Sequence, residues 1–299
     1  MIKKFISERV VPVKWDYIVL MEIILIGLYQ VIRCIDYPGL YLDAVNPDYI
    51  AVQILFPQIK NENWTLLHSC FPLLGQLYHG TPTVWLQLLI VGLAGKATMF
   101  TLRLANMIYI MGICWIVYLI MKKIKVHNTI IIGTVTAIIL SPQVFSFIRT
   151  QYYIKLPGIL LLLCAIYCIM VAEKSGNKMG LIILSGFLNG MAFYSYFIYL
   201  FFVPATLLIC IRKIKKSGFA LSKIIFGWLL GFCSGSVLYV IGYFDMLISY
   251  SGVNQKSKVV VSVVGISLIA VCLLLIVATI KVNEIKKHMY KLYALGGVL

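Results

Sequence analysis

The chain has 299 residues, of which 62% are apolar and only 12% charged. Soluble domains carry about a quarter charged residues, so this composition excludes an ordinary globular domain and predicts an all-α protein embedded in a membrane. The formal charge of +16 invites a nucleic-acid partner, but Lys and Arg fall in short clusters between apolar runs, as topology signals do. They form no single basic face interleaved with aromatics, so the expected neighbours are membrane lipids and no nucleic acid.

Apolar runs bounded by charges or turn residues predict a polytopic helix bundle of about eight spans, at 15–35, 101–121, 128–147, 155–172, 179–195, 197–211, 223–244 and 259–280. The first follows a short basic tail, 1–14. It is about twenty residues long, more than the apolar core of a signal peptide and enough to cross hydrocarbon, so it reads as a retained span. Asp16 near its inner end is expected to be solvated. Glu22, deeper by about a turn and a half, is expected to pair within the bundle.

A long external loop, 36–100, follows. Of the ten acidic residues in the chain, Asp36, Asp43 and Asp48 fall within thirteen positions of this loop. Carboxylates are costly near lipid, which makes such a cluster a functional candidate. Asp36 reads as loop solvation; Asp43 and Asp48 are the catalytic candidates. Within the same loop, the apolar run 83–94 is too short to span and predicts an interfacial or re-entrant helix. Lys96 stands just after it and Arg103 at the mouth of the next span, where an arginine either meets an anion or snorkels to headgroups.

Later outer loops offer Arg149-Thr-Gln-Tyr152-Tyr153 and the stretch from Asp245 to Lys258. The break between 179–195 and 197–211 falls around Tyr194-Ser-Tyr196, with no charge to mark it. Asn189, between Gly186 and Gly190, reads as helix packing on a small-residue face. The remainder, 246–299, is a last external loop, a final span and a second tail.

Charge counting decides the role of 83–94. With that run on the surface, 18 of the 26 basic residues lie on the inner side, and both termini are cytoplasmic. If the run crossed, every later cluster would flip and the bias would be largely lost, so the positive-inside rule selects the first arrangement, in a protein expected at the plasma membrane. The eight cysteines include no C-x-x-C pair. Most lie inside predicted spans, where a thiol acts as a small hydrophobe; Cys34 and Cys70 are the one pair placed to meet outside the membrane. Zinc and redox chemistry are not expected.

Four segments, in order, carry a likeness to a known family. Asp43 follows the first span in Gly-Leu-Tyr-Leu-Asp-Ala. Tyr78-His-Gly-Thr-Pro82-Thr-Val-Trp-Leu-Gln opens the surface helix. Leu93-Ala-Gly-Lys-Ala-Thr-Met-Phe-Thr-Leu-Arg103-Leu enters the second span, and Gly186-Phe-Leu-Asn-Gly190-Met-Ala-Phe lies in a glycine-rich fifth span. Together, over about 15–245, these segments resemble the GT-C superfamily of membrane glycosyltransferases, and within it the branch of protein O-mannosyltransferases and lipid A aminoarabinose transferases.

The resemblance implies transfer of a sugar from a polyprenyl-phosphate donor to a lipid, glycan or protein acceptor on the external face. It implies that the first-loop Asp, here Asp43, is a general base, or in some members a ligand of a divalent metal; no other cofactor is implied. Elementary chemistry agrees. A carboxylate takes the proton of the attacking hydroxyl, and the departing lipid phosphate needs cationic stabilisation, for which the guanidinium fork is suited. Arg103, Arg149 and Lys96 are the phosphate candidates, and Tyr152 and Tyr153 are candidates to stack on a sugar face.

Two departures shift the assignments. Ala44 follows Asp43 where the family often has Glu, so Asp48 is the candidate second carboxylate. Thr81 stands where a Lys commonly precedes the Pro, so His79 is the substitute cation. Family members usually continue with more spans, so a small catalytic module or a fragment is expected. A transporter or lipid flippase is the competing reading, and a non-catalytic scaffold the third.

Overall fold

A computed structural model of the chain describes residues 15–33, 51–52, 54–56, 73–76, 79–144 and 155–249. It is a helical bundle with one small β-hairpin. The helices are α1 (Trp15–Ile32), α2 (Pro82–Ala94), α3 (Met99–Lys123), α4 (Asn128–Ile139), α5 (Leu156–Ala172), α6 (Lys178–Ser195), α7 (Val203–Lys215) and α8 (Leu221–Ser249). The hairpin pairs β1 (Leu74–Gln76) with β2 (His79–Gly80) in antiparallel register, just before α2.

Among the described residues, four helices are long and apolar enough to cross a membrane: α1, α3, the continuous stretch Phe197–Lys215, and α8 through Phe244. The helices α2, α4 and α5 are apolar but shorter. The apolar run 128–147 therefore does not form one helix of that length. It stops at Ile139, with Leu140 as cap and Ser141-Pro142 immediately after, because proline cannot continue the backbone hydrogen-bond ladder. The run 197–211 begins as a tight 3₁₀ turn, Phe197–Phe202, and becomes α-helical only at Val203. The break near Tyr194 is real: α6 ends at Ser195 and Tyr196 is extended. The predicted span 259–280 lies outside the described residues.

Two different kinds of contact hold the bundle. Between α1 and α3, bulky side chains interlock, with Val19, Ile23, Val31, Met107, Ile110 and Cys114 in one buried cluster. These two helices run antiparallel, because Asp16 meets Tyr118 and Lys122 at one end and Gly27 meets Met107 further along. Asp16 is thus a paired group rather than a merely solvated one. Glu22 accepts a hydrogen bond from the Thr136 hydroxyl, and Gln30 donates to the Ile139 carbonyl at 2.6 Å, so these two polar groups tie α1 to α4.

Between α6 and α8, backbones touch directly. A Cβ on Gly186 would lie 2.0 Å from the Trp228 carbonyl, and one on Gly190 would lie 2.3 Å from that of Phe232. From the other side, a Cβ on Gly231 would meet the Ile183 carbonyl at 2.0 Å and one on Gly235 that of Phe187 at 2.1 Å. Both numberings rise together, so the helices are parallel. Small residues spaced by four let membrane helices approach this closely, and the contact energy comes from van der Waals packing. Gly186 and Gly190 were legible as such a face; their partners Gly227, Gly231 and Gly235 are the matching half.

These directions place the segments 124–127, 173–177 and 216–220 at one end of the bundle. The Lys213–Glu173 ion pair, 3.5 Å, ties the last turn of α7 to the segment 173–177. The hairpin, α2 and the start of α3 occupy the opposite end, where Tyr194 closes α6.

Candidate functional site at the hairpin end

At this end the chain folds a short helix back along a long one. Pro82 opens α2, where its missing N–H costs nothing, and Gly95 closes it in the left-handed conformation at φ 66°. A side chain would be strained there, so glycine permits the tight reversal into α3. Thr98 caps α3, its hydroxyl accepting from the Thr101 N–H at 3.2 Å while the Thr101 hydroxyl accepts from the Thr98 N–H at 2.9 Å. This reciprocal pair satisfies amides that the first turn would otherwise leave bare. Ten residues further along α3, the Tyr109 hydroxyl donates to the Pro82 carbonyl at 2.9 Å. So α2 covers about the first ten residues of α3, some 15 Å at 1.5 Å per residue.

The covered layer is unexpectedly polar. Thr83 and Gln87 of α2 are buried, as are Thr101, Arg103 and Asn106 of α3; Gln87, Arg103 and Asn106 are fully enclosed. The outward side of α2 is apolar instead, with Leu89 and Leu93 exposed. This is the reverse of a water-soluble helix, and it suits an element whose outer face meets lipid and whose inner face encloses polar groups. A buried charge is retained only with compensating interactions, so the enclosed guanidinium of Arg103 makes this the most electrostatically demanding point among the described residues.

The hairpin is tied to the layer from the side. The Thr81 and Tyr194 hydroxyls are 3.0 Å apart, and the Tyr194 hydroxyl donates to the Leu73 carbonyl at 2.6 Å. The Trp85 ring lies beside the Tyr194 ring, with centroids 5.6 Å apart. Gly80 has no room for a side chain, since a Cβ would lie 2.4 Å from the Tyr194 carbonyl. Tyr194 therefore locks the entry to α2 against the end of α6, 113 residues away in sequence.

The sequence-predicted residues divide as follows. Arg103 is in the layer and wholly buried, so it does not snorkel to a lipid headgroup. Lys96 is exposed, one residue past the Gly95 cap, and is not enclosed with Arg103. His79 forms β2 at the foot of the hairpin, two residues before Thr81. Asp43, Asp48, Arg149, Tyr152 and Tyr153 lie outside the described residues, as do Asp36, Cys34 and Cys70. Among the described residues, no three of His, Cys, Asp or Glu gather where a metal ion would be held.

Sequence reasoning missed Gln87, Asn106, Tyr109 and Tyr194. Two of them had a signal. Gln87 is the lone amide inside the apolar run 83–94, and Asn106 follows Arg103 by three, the spacing that puts both on one helix face. Tyr194 carried no local sign, because its partners come from a segment more than a hundred residues earlier. No family model, curated protein or solved structure matches this chain.

Proposed function

We propose that the chain is a membrane glycosyltransferase that moves a sugar from a polyprenyl-phosphate donor to an acceptor on the external face. The observation that carries this reading is Arg103, a guanidinium fully enclosed at the start of α3 beneath a helix whose outer face is apolar. A lipid phosphate donor carries an anion, and Arg is the side chain whose fork fits phosphate oxygens. In this reading Asp43 takes the proton from the acceptor hydroxyl. Arg103, with Arg149 and Lys96, offsets the charge that grows on the departing phosphate. Asp48 is the second carboxylate, His79 a supporting cation, and Tyr152 and Tyr153 the sugar-facing aromatics.

The same reading takes the bundle as eight spans, adding 128–147, 155–172, 179–195 and 259–280 to the four helices of full length, with α2 interfacial. The hairpin end is external, and both tails and the basic end are cytoplasmic. It places the protein in the plasma membrane.

The test is transfer of label from polyprenyl-phosphate sugars by the purified full chain in liposomes. Asp43→Asn is expected to abolish transfer with expression and monodispersity intact; transfer at the unaltered rate removes the mechanism. A second reading, transport, draws on one observation: Glu22, a carboxyl within a spanning helix, hydrogen-bonded to Thr136 of a neighbouring helix. Such groups mark ion or substrate paths in membrane proteins. Substrate flux into liposomes without covalent product, abolished by Glu22→Gln, would favour it over transfer.

A further inference from the structure

The end of the bundle opposite the hairpin gathers Lys122, Lys123, Lys125, Lys174, Lys178, Arg212, Lys213, Lys215, Lys216 and Lys223, against Asp16 and Glu173 alone among the described acids. Each acid is taken by one lysine, Asp16 by Lys122 and Glu173 by Lys213. Topology alone explains an excess of positive charge; it does not explain its distribution. The densest group stands where α7 turns into α8. Arg212, Lys215 and Lys216 are exposed on and just past the last turn of α7, and Lys223 is exposed on the first turn of α8. Gly218, at φ 81°, permits the tight turn that brings the two helix ends together.

Above these cations the exposed surface is apolar on both helices. On α8, Lys223, Phe226 and Leu230 follow one another at i, i+3 and i+7, a single face, with Phe226 66% and Leu230 49% exposed. On α7 and its cap, Ile209 and then Arg212 and Lys216 repeat the same order, from apolar to cationic toward the turn. Cations at helix ends, with apolar rows rising from them along membrane-spanning helices, match an amphiphile: an anionic head on the basic turn and acyl chains on the rows. Basic recesses between membrane helices on the cytoplasmic side are where anionic headgroups bind. A soluble acidic partner would use the charges and leave the rows unused.

We propose that the α7–α8 turn is a binding site for an anionic phospholipid, its phosphate held by Arg212, Lys215, Lys216 and Lys223 and its chains lying along Ile209, Phe226 and Leu230. This site is separate from the hairpin end, and it rests on membrane embedding rather than on the glycosyltransferase reading.

Native mass spectrometry of the detergent-solubilised full chain tests it, titrated with dioleoyl phosphatidylglycerol or dioleoyl phosphatidylcholine. The unaltered chain is expected to retain phosphatidylglycerol at least fivefold over phosphatidylcholine. The combination Arg212→Gln, Lys215→Gln, Lys216→Gln and Lys223→Gln is expected to bring that ratio below twofold. Removing the same charge elsewhere, with Lys123→Gln, Lys125→Gln, Lys174→Gln and Lys178→Gln, is expected to leave it. Should the first combination not purify as a single species, Arg212→Gln with Lys216→Gln is read in the same way, with a loss of at least half the preference. Inorganic phosphate at millimolar concentration is expected to displace little of the lipid, since it lacks the chains. Equal retention of the two lipids, equal losses from the two quadruple variants, or full displacement by phosphate would each overturn the proposal.

Discussion

The two ends of this bundle handle polar groups in opposite ways. At the hairpin end, Gln87, Arg103 and Asn106 are fully enclosed, and the face turned outward is leucine. At the basic end, the cations lie at the surface and the two carboxylates are partly exposed, Asp16 paired with Lys122 and Tyr118 and Glu173 with Lys213. Charges left in water cost little and contribute little, with exposed ion pairs worth about 0–1 kcal/mol. A guanidinium taken out of water must be met by partners, and breaking such an arrangement costs about 3–5 kcal/mol. The difference teaches where to look for chemistry: the basic end leaves its charge on the surface, whereas the hairpin end encloses a guanidinium, which is why the proposed donor phosphate is assigned to the hairpin end.

The comparison is most exposed to failure at Arg103. We expect Arg103→Met to reduce sugar transfer at least 100-fold in the labelled-donor assay, while Lys123→Gln at the other end changes it less than twofold. Equal effects would erase the distinction between the ends. Next in size is Gly80→Ala, whose methyl group would collide with the Tyr194 backbone. Overpacking of this kind costs about 1–3 kcal/mol, and a lowered midpoint of thermal aggregation would report it. Tyr194→Phe keeps the ring beside Trp85 and removes only the hydroxyl shared by Leu73 and Thr81, so about 1 kcal/mol is expected, read from the same midpoint. The smallest effect belongs to Lys122→Gln. Its pair with Asp16 is about half exposed on both sides, so a loss below about 0.5 kcal/mol is expected, vanishing at high salt.

Much of the fold was legible. Helix α2 was predicted as 83–94 and forms as Pro82–Ala94, because Pro82 and Gly95 are the residues that start and stop a helix at those points. Within the run 128–147 the first helix ends at Ile139, because apolarity alone continues through Pro142 whereas the helical hydrogen-bond ladder is interrupted before it. At the candidate site the sequence offered Arg103 but not its environment. An arginine near a helix end has the same sequence signature whether it snorkels or is enclosed, and only the folding-back of α2 decides. Tyr194 and Gly80 meet through contacts more than a hundred residues apart, which no local periodicity encodes. Asp16 was read as solvated because its partners Tyr118 and Lys122 lie on another helix.

The measurement that bears most directly on the opposed ends is sidedness. In a background with the eight native cysteines replaced by serine, single Asp43→Cys and Lys216→Cys variants would be treated on intact cells with a membrane-impermeant maleimide. The account predicts labelling at position 43 from outside and at position 216 only after permeabilisation. Labelling of both from the same side, or of position 43 only from within, would contradict it.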